Sequence, residues 1–425
     1  MPILFLTVRG GAGARPLVNF AVNVIIIDGV FLSKRDEVSL LPLKGTIANR
    51  YDIFQRKVVI MNERVYNFAA GPAVLPLPVL KKAQEELLCL PGAGASILEI
   101  SHRSKTFDAI INGAQENIRK LYNIPENYKI LLMQGGALTH FAMIPMNILR
   151  NSGKKADYIV TGTWSKKASG EAKTQGEVNV VWDGKAESNF TRDPLPNEYK
   201  IDADAKYVYF TSNETIEGVQ WPTEPESNGL PLVCDSSSDV FSRPIDINRY
   251  GVLFACAQKN AGPAGVTMII IRDDLLESSG DDLPTMFNYK KQAAGNSMVN
   301  TPPCFAIYML KLVTEWLIND IGGLEAMKKL NQEKAAILYQ VIDDSNGFYR
   351  GHAAKEYRSM MNVPFRLPSE ELDNKFKTEA QEVGLSTLGG HRSVGGLRAS
   401  IYNAMPKAGV EKLAAFMEDF RKKNA

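Results

Sequence analysis

Between about residues 76 and 275 the chain alternates short apolar, β-rich runs with segments of helical periodicity. The apolar runs predict strands at 129–133, 158–161, 178–182, 206–211, 231–234, 252–255 and 266–271. Between 104 and 122, Phe107, Ile110, Ile111, Ala114, Ile118 and Leu121 recur on one helical face, with Ser104 in the cap position. That stripe is a core face, not a binding surface. Strands alternating with helices in this way predict an α/β fold, a mostly parallel sheet flanked by helices. After about residue 303 the pattern changes to longer amphipathic helices at 305–319, 324–342, 369–383 and 410–423, with strand-like 361–367 and 397–402 among them. A smaller α+β domain is expected there, and no internal repeat or low-complexity linker interrupts the order.

Composition narrows the classes. A chain of 425 residues is long enough for two domains with a substantial core. Lys and Arg (49) nearly balance Asp and Glu (47), and no basic run interleaves with aromatics, so nucleic acid is not an expected partner. No stretch reaches the about 18 apolar residues of a membrane span. Cys89, Cys234, Cys256 and Cys304 lie far apart, without metal-ligand spacing, so no metal is expected. Two of them sit in apolar runs, as buried free thiols do, which points to a reducing compartment. Residues 1–60 mix Gly-rich turns, an apolar run at 22–27 and a patternless tail. Two arginines without an acid up to Ile27 weakly resemble an organelle-targeting peptide, but serine is nearly absent. The favoured expectation is that Met61 is the natural start and the preceding segment an upstream addition.

The chemistry concentrates in Phe254-Ala-Cys-Ala-Gln-Lys-Asn-Ala-Gly-Pro-Ala-Gly265. Lys259 lies between an apolar run and a Gly/Pro turn that precedes a second apolar run. A lysine held near the end of a buried strand can lose its proton and attack an aldehyde, because burial disfavours the ammonium. Upstream, the run Leu232-Val-Cys delivers Asp235, about one strand-connection-strand unit earlier. Such a pair suits pyridoxal phosphate: the lysine bonds to the cofactor aldehyde and the carboxylate holds the pyridinium nitrogen. Taken alone, Lys259 reads as a surface lysine and Asp235 as a helix cap. The pair with its flanking strands favours the cofactor.

Further candidates follow other strands. Gln134-Gly135-Gly136-Ala137 could cradle a phosphate at a helix N-terminus, or could be a tight βα turn. Trp164 could stack on a flat ring at the carboxyl edge of the sheet, or could be core. Asn213-Glu-Thr-Ile-Glu-Gly218 offers the Thr215 hydroxyl at the same edge, as would an ordinary polar turn. Two of the four histidines precede arginine, His102-Arg103 and His391-Arg392, and Arg398 follows in His-Arg-Ser-Val-Gly-Gly-Leu-Arg. Arginine forks suit carboxylate and phosphate, so two such pairs point to a small substrate with two anionic groups. For any single pair, a structural salt bridge is the plainer reading. His140 and His352 have no such company.

The segments Phe68-Ala-Ala-Gly-Pro-Ala73, Ile100-Ser-His-Arg-Ser104, Ser212-Asn-Glu-Thr-Ile216, Ser242-Arg-Pro-Ile-Asp246, Ala257-Gln-Lys-Asn-Ala-Gly-Pro-Ala-Gly265 and His391 to Ala404 resemble, in order, those of the phosphoserine aminotransferase family. The resemblance runs from about Met61 to the C-terminus. It implies a fold-type I pyridoxal phosphate enzyme, with a mostly parallel seven-stranded sheet in a large domain at 77–325 and a smaller α+β domain at 326–425. Residues 61–76 would form an arm associated with the smaller domain, and 1–60 an extension outside the resemblance. It further implies a cytoplasmic homodimer with shared active sites and one cofactor per subunit, covalently bound to Lys259. Asp235 would hold the ring nitrogen, Trp164 stack on the ring and Thr215 touch its edge. Gln258 and the backbone of Ala137 and Leu138 would hold the cofactor phosphate, joined by Asn300 and Thr301 of the partner subunit. Arg398 would bind the substrate α-carboxylate. His102 and Arg103, with His391 and Arg392 of the partner subunit, would bind the distal phosphate or γ-carboxylate. The implied reaction exchanges an amino group between O-phospho-L-serine and 2-oxoglutarate, giving 3-phosphohydroxypyruvate and L-glutamate, in L-serine biosynthesis; in bacteria the family also serves pyridoxine biosynthesis. One departure is Gly136-Ala-Leu-Thr-His-Phe141, where many members carry an arginine at the position of Leu138. Either the other four basic residues suffice or substrate preference has shifted; His140, nearby, is a substitute that nothing in the sequence supports. A cysteine desulfurase, a decarboxylase or a non-catalytic dimeric binding protein on the same fold are the rivals, and no cysteine sits in the Gly/Ser-rich loop that a desulfurase needs.

Overall fold

The computed structural model describes residues 64–425 except 393, and before them only two short paired strands, Ile26–Ile27 and Val30–Phe31. The expectations for residues 1–60 otherwise lie outside the described residues.

Seven strands form the central sheet: β1 (Tyr128–Gln134), β2 (Ala156–Val160), β3 (Val178–Asp183), β4 (Val208–Thr211), β5 (Leu232–Asp235), β6 (Tyr250–Cys256) and β7 (Val266–Arg272). Their spatial order is β1-β7-β6-β5-β4-β2-β3. Every pair among β6, β5, β4, β2 and β3 is parallel, whereas β7 runs antiparallel to both its neighbours. The connection between β6 and β7 is too short for the dozen or more residues of a parallel crossover, so the chain turns straight back. The inner strands β4, β5 and β6 are buried along their whole length, which is why they read as continuous apolar runs.

Helices cover both faces. Helix α1 (Lys105–Tyr122) starts where Ser104 Oγ accepts from the Phe107 N–H and stops at Asn123 in the left-handed conformation. Its stripe takes in the half-buried Leu121, packed against the same core, and the buried Tyr122, whose hydroxyl accepts from the Phe241 N–H at 2.6 Å. It packs with α4 (Cys304–Trp316) over one face, where Leu132, Cys234 and Met268 point. Helices α2 (Ala137–Ile148) and α3 (Thr163–Ala172) cover the other, onto which the alternate residues Leu131, Val233 and Ile269 project.

A second core surrounds the antiparallel sheet of β8 (Arg350–Gly351), β9 (Asn362–Arg366) and β10 (Leu397–Ser400). Helices α5 (Leu324–Asp343), α6 (Glu370–Glu382) and α7 (Lys407–Asn424) contribute to it. The segment Tyr66–Asn67 pairs with Leu385–Ser386, and Phe68 is buried in this second core. Helix α5 begins among residues of the first core (Leu324, Met327) and continues into the second (Leu338, Ile342), so one helix spans both.

Candidate active site

Because β1, β2, β4, β5 and β6 point the same way, the segments that leave their carboxyl ends converge on one edge. A cavity of about 240 Å³ opens there, lined by Ala137, Trp164, Thr215, Asp235, Gln258, Lys259, His391 and Arg398 among others. Eight of the candidates thus meet in one place.

Lys259 lies just past β6 in a turn closed by Ala261 N–H and Gly262 N–H onto the Ala257 carbonyl. Its Nζ donates to Thr215 Oγ1 at 2.7 Å and stands 5.5 Å from the centre of the Trp164 ring. Burial pushes the amine below the usual lysine range, while the nearby Asp235 charge pulls the other way. Gly71 adopts φ +143°, and a Cβ there would come within 3.3 Å of Lys259 Cγ. The backbone at that point is part of the cavity wall, a close approach that glycine permits.

Asp235 ends β5, and its pairing with Phe254 on β6 puts carboxylate and lysine on adjacent parallel strands. Ser237 N–H and Oγ both donate to Asp235 Oδ1, at 2.9 and 2.5 Å, and the Ser237 Oγ in turn accepts from the Cys256 N–H. Burial raises the carboxyl pKa, and Lys259 is the largest opposing influence. A cationic ring nitrogen in the cavity would supply the charge this buried carboxylate lacks.

Two helix N-termini face this edge, and they differ. Gly136 gives α2 no side-chain cap, so its first-turn amides suit an anion. At α3 the amides are taken: Glu214 accepts from Trp164 N–H and Ser165 N–H, both at 2.9 Å, and Glu217 from Thr163 N–H at 3.1 Å. A phosphate therefore fits α2, not α3. Above it, the Trp164 indole Nε1 is buried without a hydrogen-bond partner, and its ring presents a flat surface beside Lys259. The donor set fits pyridoxal phosphate: an amine for the aldehyde, a carboxylate for the ring nitrogen, an aromatic face and an open helix N-terminus.

Arg398 leaves β10, and its Nη1 donates to the Thr215 carbonyl at 3.3 Å while Nε is buried and unpartnered. His391 is pushed below the usual histidine range by burial and by Arg398, Arg392 and Lys167. That accumulation of positive charge matches an anionic ligand.

Other candidates lie elsewhere in the single chain. Leu138 is exposed beside Ala137, Arg392 is exposed, and neither His102 nor Arg103 lines the cavity. Asn300 lines a separate space of about 180 Å³ with Gly135 and Thr139, and Thr301 is exposed. His140 is fully buried with Nδ1 2.9 Å from the Tyr289 hydroxyl, and burial pushes it down to about 3. It is a core residue and does not replace a basic group at Leu138. His352 is exposed and bonds the Phe190 carbonyl. Sequence reasoning did not single out Ser237, Asn260, Glu214 or Glu217. The last two looked like parts of a polar turn, yet residues 213–220 form a fully buried hairpin.

The model of the class-V aminotransferase family matches residues 65–413. A phosphoserine aminotransferase of Rhodopirellula baltica is 54% identical over 364 residues, which span 85% of this chain and 96% of that one. The solved phosphoserine aminotransferase of Bacillus circulans subsp. alkalophilus superposes with a TM-score of 0.83 at 48% identity, covering 86% of this chain and all (100%) of the other. The pyridoxal phosphate-bound phosphoserine aminotransferase of Trichomonas vaginalis gives 0.79 at 41% identity, over 84% of this chain and 100% of the other. Lysine, carboxylate, aromatic face and arginine at the carboxyl edge of a fold-type I sheet agree with these likenesses, and the chain belongs to the phosphoserine aminotransferases of the class-V aminotransferase family, pyridoxal phosphate-dependent transaminases.

Proposed function

We propose that the cavity around Lys259 is where this transaminase exchanges the amino group between O-phospho-L-serine and 2-oxoglutarate, the step of its family in L-serine biosynthesis. One observation carries the reading: an amine bonded at 2.7 Å to Thr215 shares a cavity with Asp235, Trp164 and Arg398. Lys259 would hold one cofactor per subunit covalently, Asp235 its ring nitrogen, Trp164 its face and Thr215 its edge. Gln258 and the amides of Ala137 and Leu138 would hold its phosphate, with Asn300 and Thr301 of the partner subunit.

When bound, pyridoxal phosphate supplies an electron sink that makes the substrate α-proton removable. Lys259 Nζ takes that proton from the substrate α-carbon and returns one in the reverse half-reaction, a role for which a depressed pKa suits it. Thr215 orients the amine toward the cavity. Arg398, with its fork directed along Thr215, binds the α-carboxylate. His391, which lines the cavity of its own chain, and Arg392 bind the distal phosphate or γ-carboxylate together with His102 and Arg103 of the partner subunit. This exchanges the two pairs relative to the sequence expectation and completes the site in a homodimer. Two observations support the dimer: His102, Arg103 and Thr301 stand away from the cavity of their own chain, and Asn300 lines a neighbouring one. The free thiols Cys89, Cys234, Cys256 and Cys304 support a cytoplasmic location. Among the described residues no helix is long and apolar enough to cross a membrane. Desulfuration is disfavoured, since Cys256, the cysteine lining the cavity, lies in β6 with its thiol pushed up to about 11 by burial.

The test separates the two anion subsites. Arg398→Ala should reduce kcat/KM for every amino acid by about tenfold or more, as loss of a charge-assisted pair does. Arg392→Ala should reduce it for O-phospho-L-serine and leave L-alanine nearly unchanged. Equal losses for both substrates in Arg392→Ala would contradict the distal-anion role.

A further inference from the structure

We propose that Glu214 is a positioning residue that fixes the Trp164 ring relative to the Thr215 hydroxyl, with Glu217 as its second anchor. The inference rests on the reading that Trp164 packs on the cofactor ring.

Helix α3 has glycine at its N-cap and so no side chain of its own to satisfy its first amides. Three consecutive residues instead direct their donors at two carboxylates from a hairpin some fifty residues later. Trp164 N–H reaches Glu214 Oε2 at 2.9 Å, and Ser165 N–H and Oγ reach Glu214 Oε1 at 2.9 and 2.6 Å. Thr163 N–H and Oγ1 reach Glu217 Oε1 at 3.1 and 2.5 Å. Carboxylates at a helix N-terminus also benefit from the helix dipole.

The hairpin, Asn213–Glu214 paired with Val219–Gln220, carries Thr215 immediately after Glu214. Thr215 accepts from Lys259 Nζ through its hydroxyl and from Arg398 Nη1 through its carbonyl. Glu214, with Glu217 beside it, therefore joins the helix that bears the aromatic face to the hairpin that meets both the lysine and the arginine. The fit has no slack: a Cβ at Gly162 would stand 2.5 Å from the Glu214 side chain. On its far side the hairpin is held by Asn213 Nδ2 donating to Asn362 Oδ1 on β9 at 2.8 Å. Glu214 itself is fully buried and outside the cavity lining, so it acts through its neighbours and not on substrate.

The experiment titrates cofactor-free protein with pyridoxal phosphate and follows tryptophan fluorescence, using Trp164→Phe to isolate the Trp164 contribution. Trp164→Phe should bind the cofactor more weakly and lose part of the quenching. Glu214→Ala should weaken binding about tenfold, the size expected for losing acceptors to buried donors, and should lose the same part of the quenching with Trp164 still present. Glu214→Gln keeps the volume and one acceptor oxygen and should fall between. Ser165→Ala, which removes one of the Glu214 donors together with the acceptor of the Thr161 and Gly162 N–H groups, should show a loss of the same kind if Glu214→Ala does not fold. Wild-type affinity and quenching in Glu214→Ala, or in Ser165→Ala where Glu214→Ala is unfolded, would overturn the positioning role. Weakened Trp164→Phe with unaffected Glu214→Ala overturns the positioning alone. Trp164→Phe at wild-type affinity overturns the stacking reading and this inference with it.

Discussion

Lys259 can bond to an aldehyde only as a free amine, so its reactivity should follow its titration. Burial lowers its pKa from 10.5 and Asp235 opposes the shift. The neutral fraction grows as pH rises, so capture of pyridoxal phosphate by cofactor-free protein should speed up with pH and reach half its maximum below 10.5. Asp235→Asn removes the charge that holds the proton on Lys259, and the midpoint should move lower still. Stopped-flow absorbance against pH measures both; a midpoint that rises in Asp235→Asn would contradict the pairing. That Lys259 and Asp235 meet in one cavity was legible in the sequence because each follows an apolar run that reads as an inner strand. The place of Glu214 was not. A carboxylate at a fully buried position is tolerable only with dedicated donors, and those donors belong to residues 163–165, in another element. No local pattern carries that information.

Elements were legible to within about three residues wherever burial dictated the pattern. Strand β6 was expected at 252–255 and runs Tyr250–Cys256; α7 was expected at 410–423 and runs Lys407–Asn424. The sheet is mostly parallel, as expected, with one reversed strand, β7, and the reason was visible in the short Gly/Pro-rich connection that holds Lys259. The sequence pointed to the helix N-terminus after Gly136 as a phosphate cradle, but that the one after Gly162 is filled was beyond sequence reading. Both follow a strand and a glycine, at Gly136 and Gly162, yet one is open and the other filled by Glu214 and Glu217. Tertiary packing alone separates them. The consequence is functional, since only an open terminus can take a phosphate while the filled one can hold an aromatic ring in place.

At the scale of the whole molecule, the second core must be kept in register with the lysine turn, because Arg398 belongs to the one and Lys259 to the other. A buried polar junction does this. Lys334 on α5 is fully buried, and its Nζ donates to the carbonyls of Ile401 (3.0 Å), Tyr402 (2.8 Å), Asn403 (3.4 Å) and Met405 (3.3 Å), just beyond β10. Asn403 N–H then donates to Asn260 Oδ1 at 2.9 Å, next to the lysine. Asn331, one turn before Lys334 on the same helix, donates to Asn403 Oδ1 at 2.9 Å. Lys334→Met keeps the volume but strands the carbonyls, and should cost about 3 kcal/mol. Urea unfolding measures it, and a loss under about 1 kcal/mol would mean that water replaces the amine.

The most direct test of the account is the visible absorbance of cofactor-loaded protein, titrated with O-phospho-L-serine and separately with L-alanine. The account predicts that phosphoserine abolishes the long-wavelength band at far lower concentration than alanine, and that 2-oxoglutarate restores it. A normal band that ignores phosphoserine, or responds equally to alanine, would contradict the assignment of the two anion subsites.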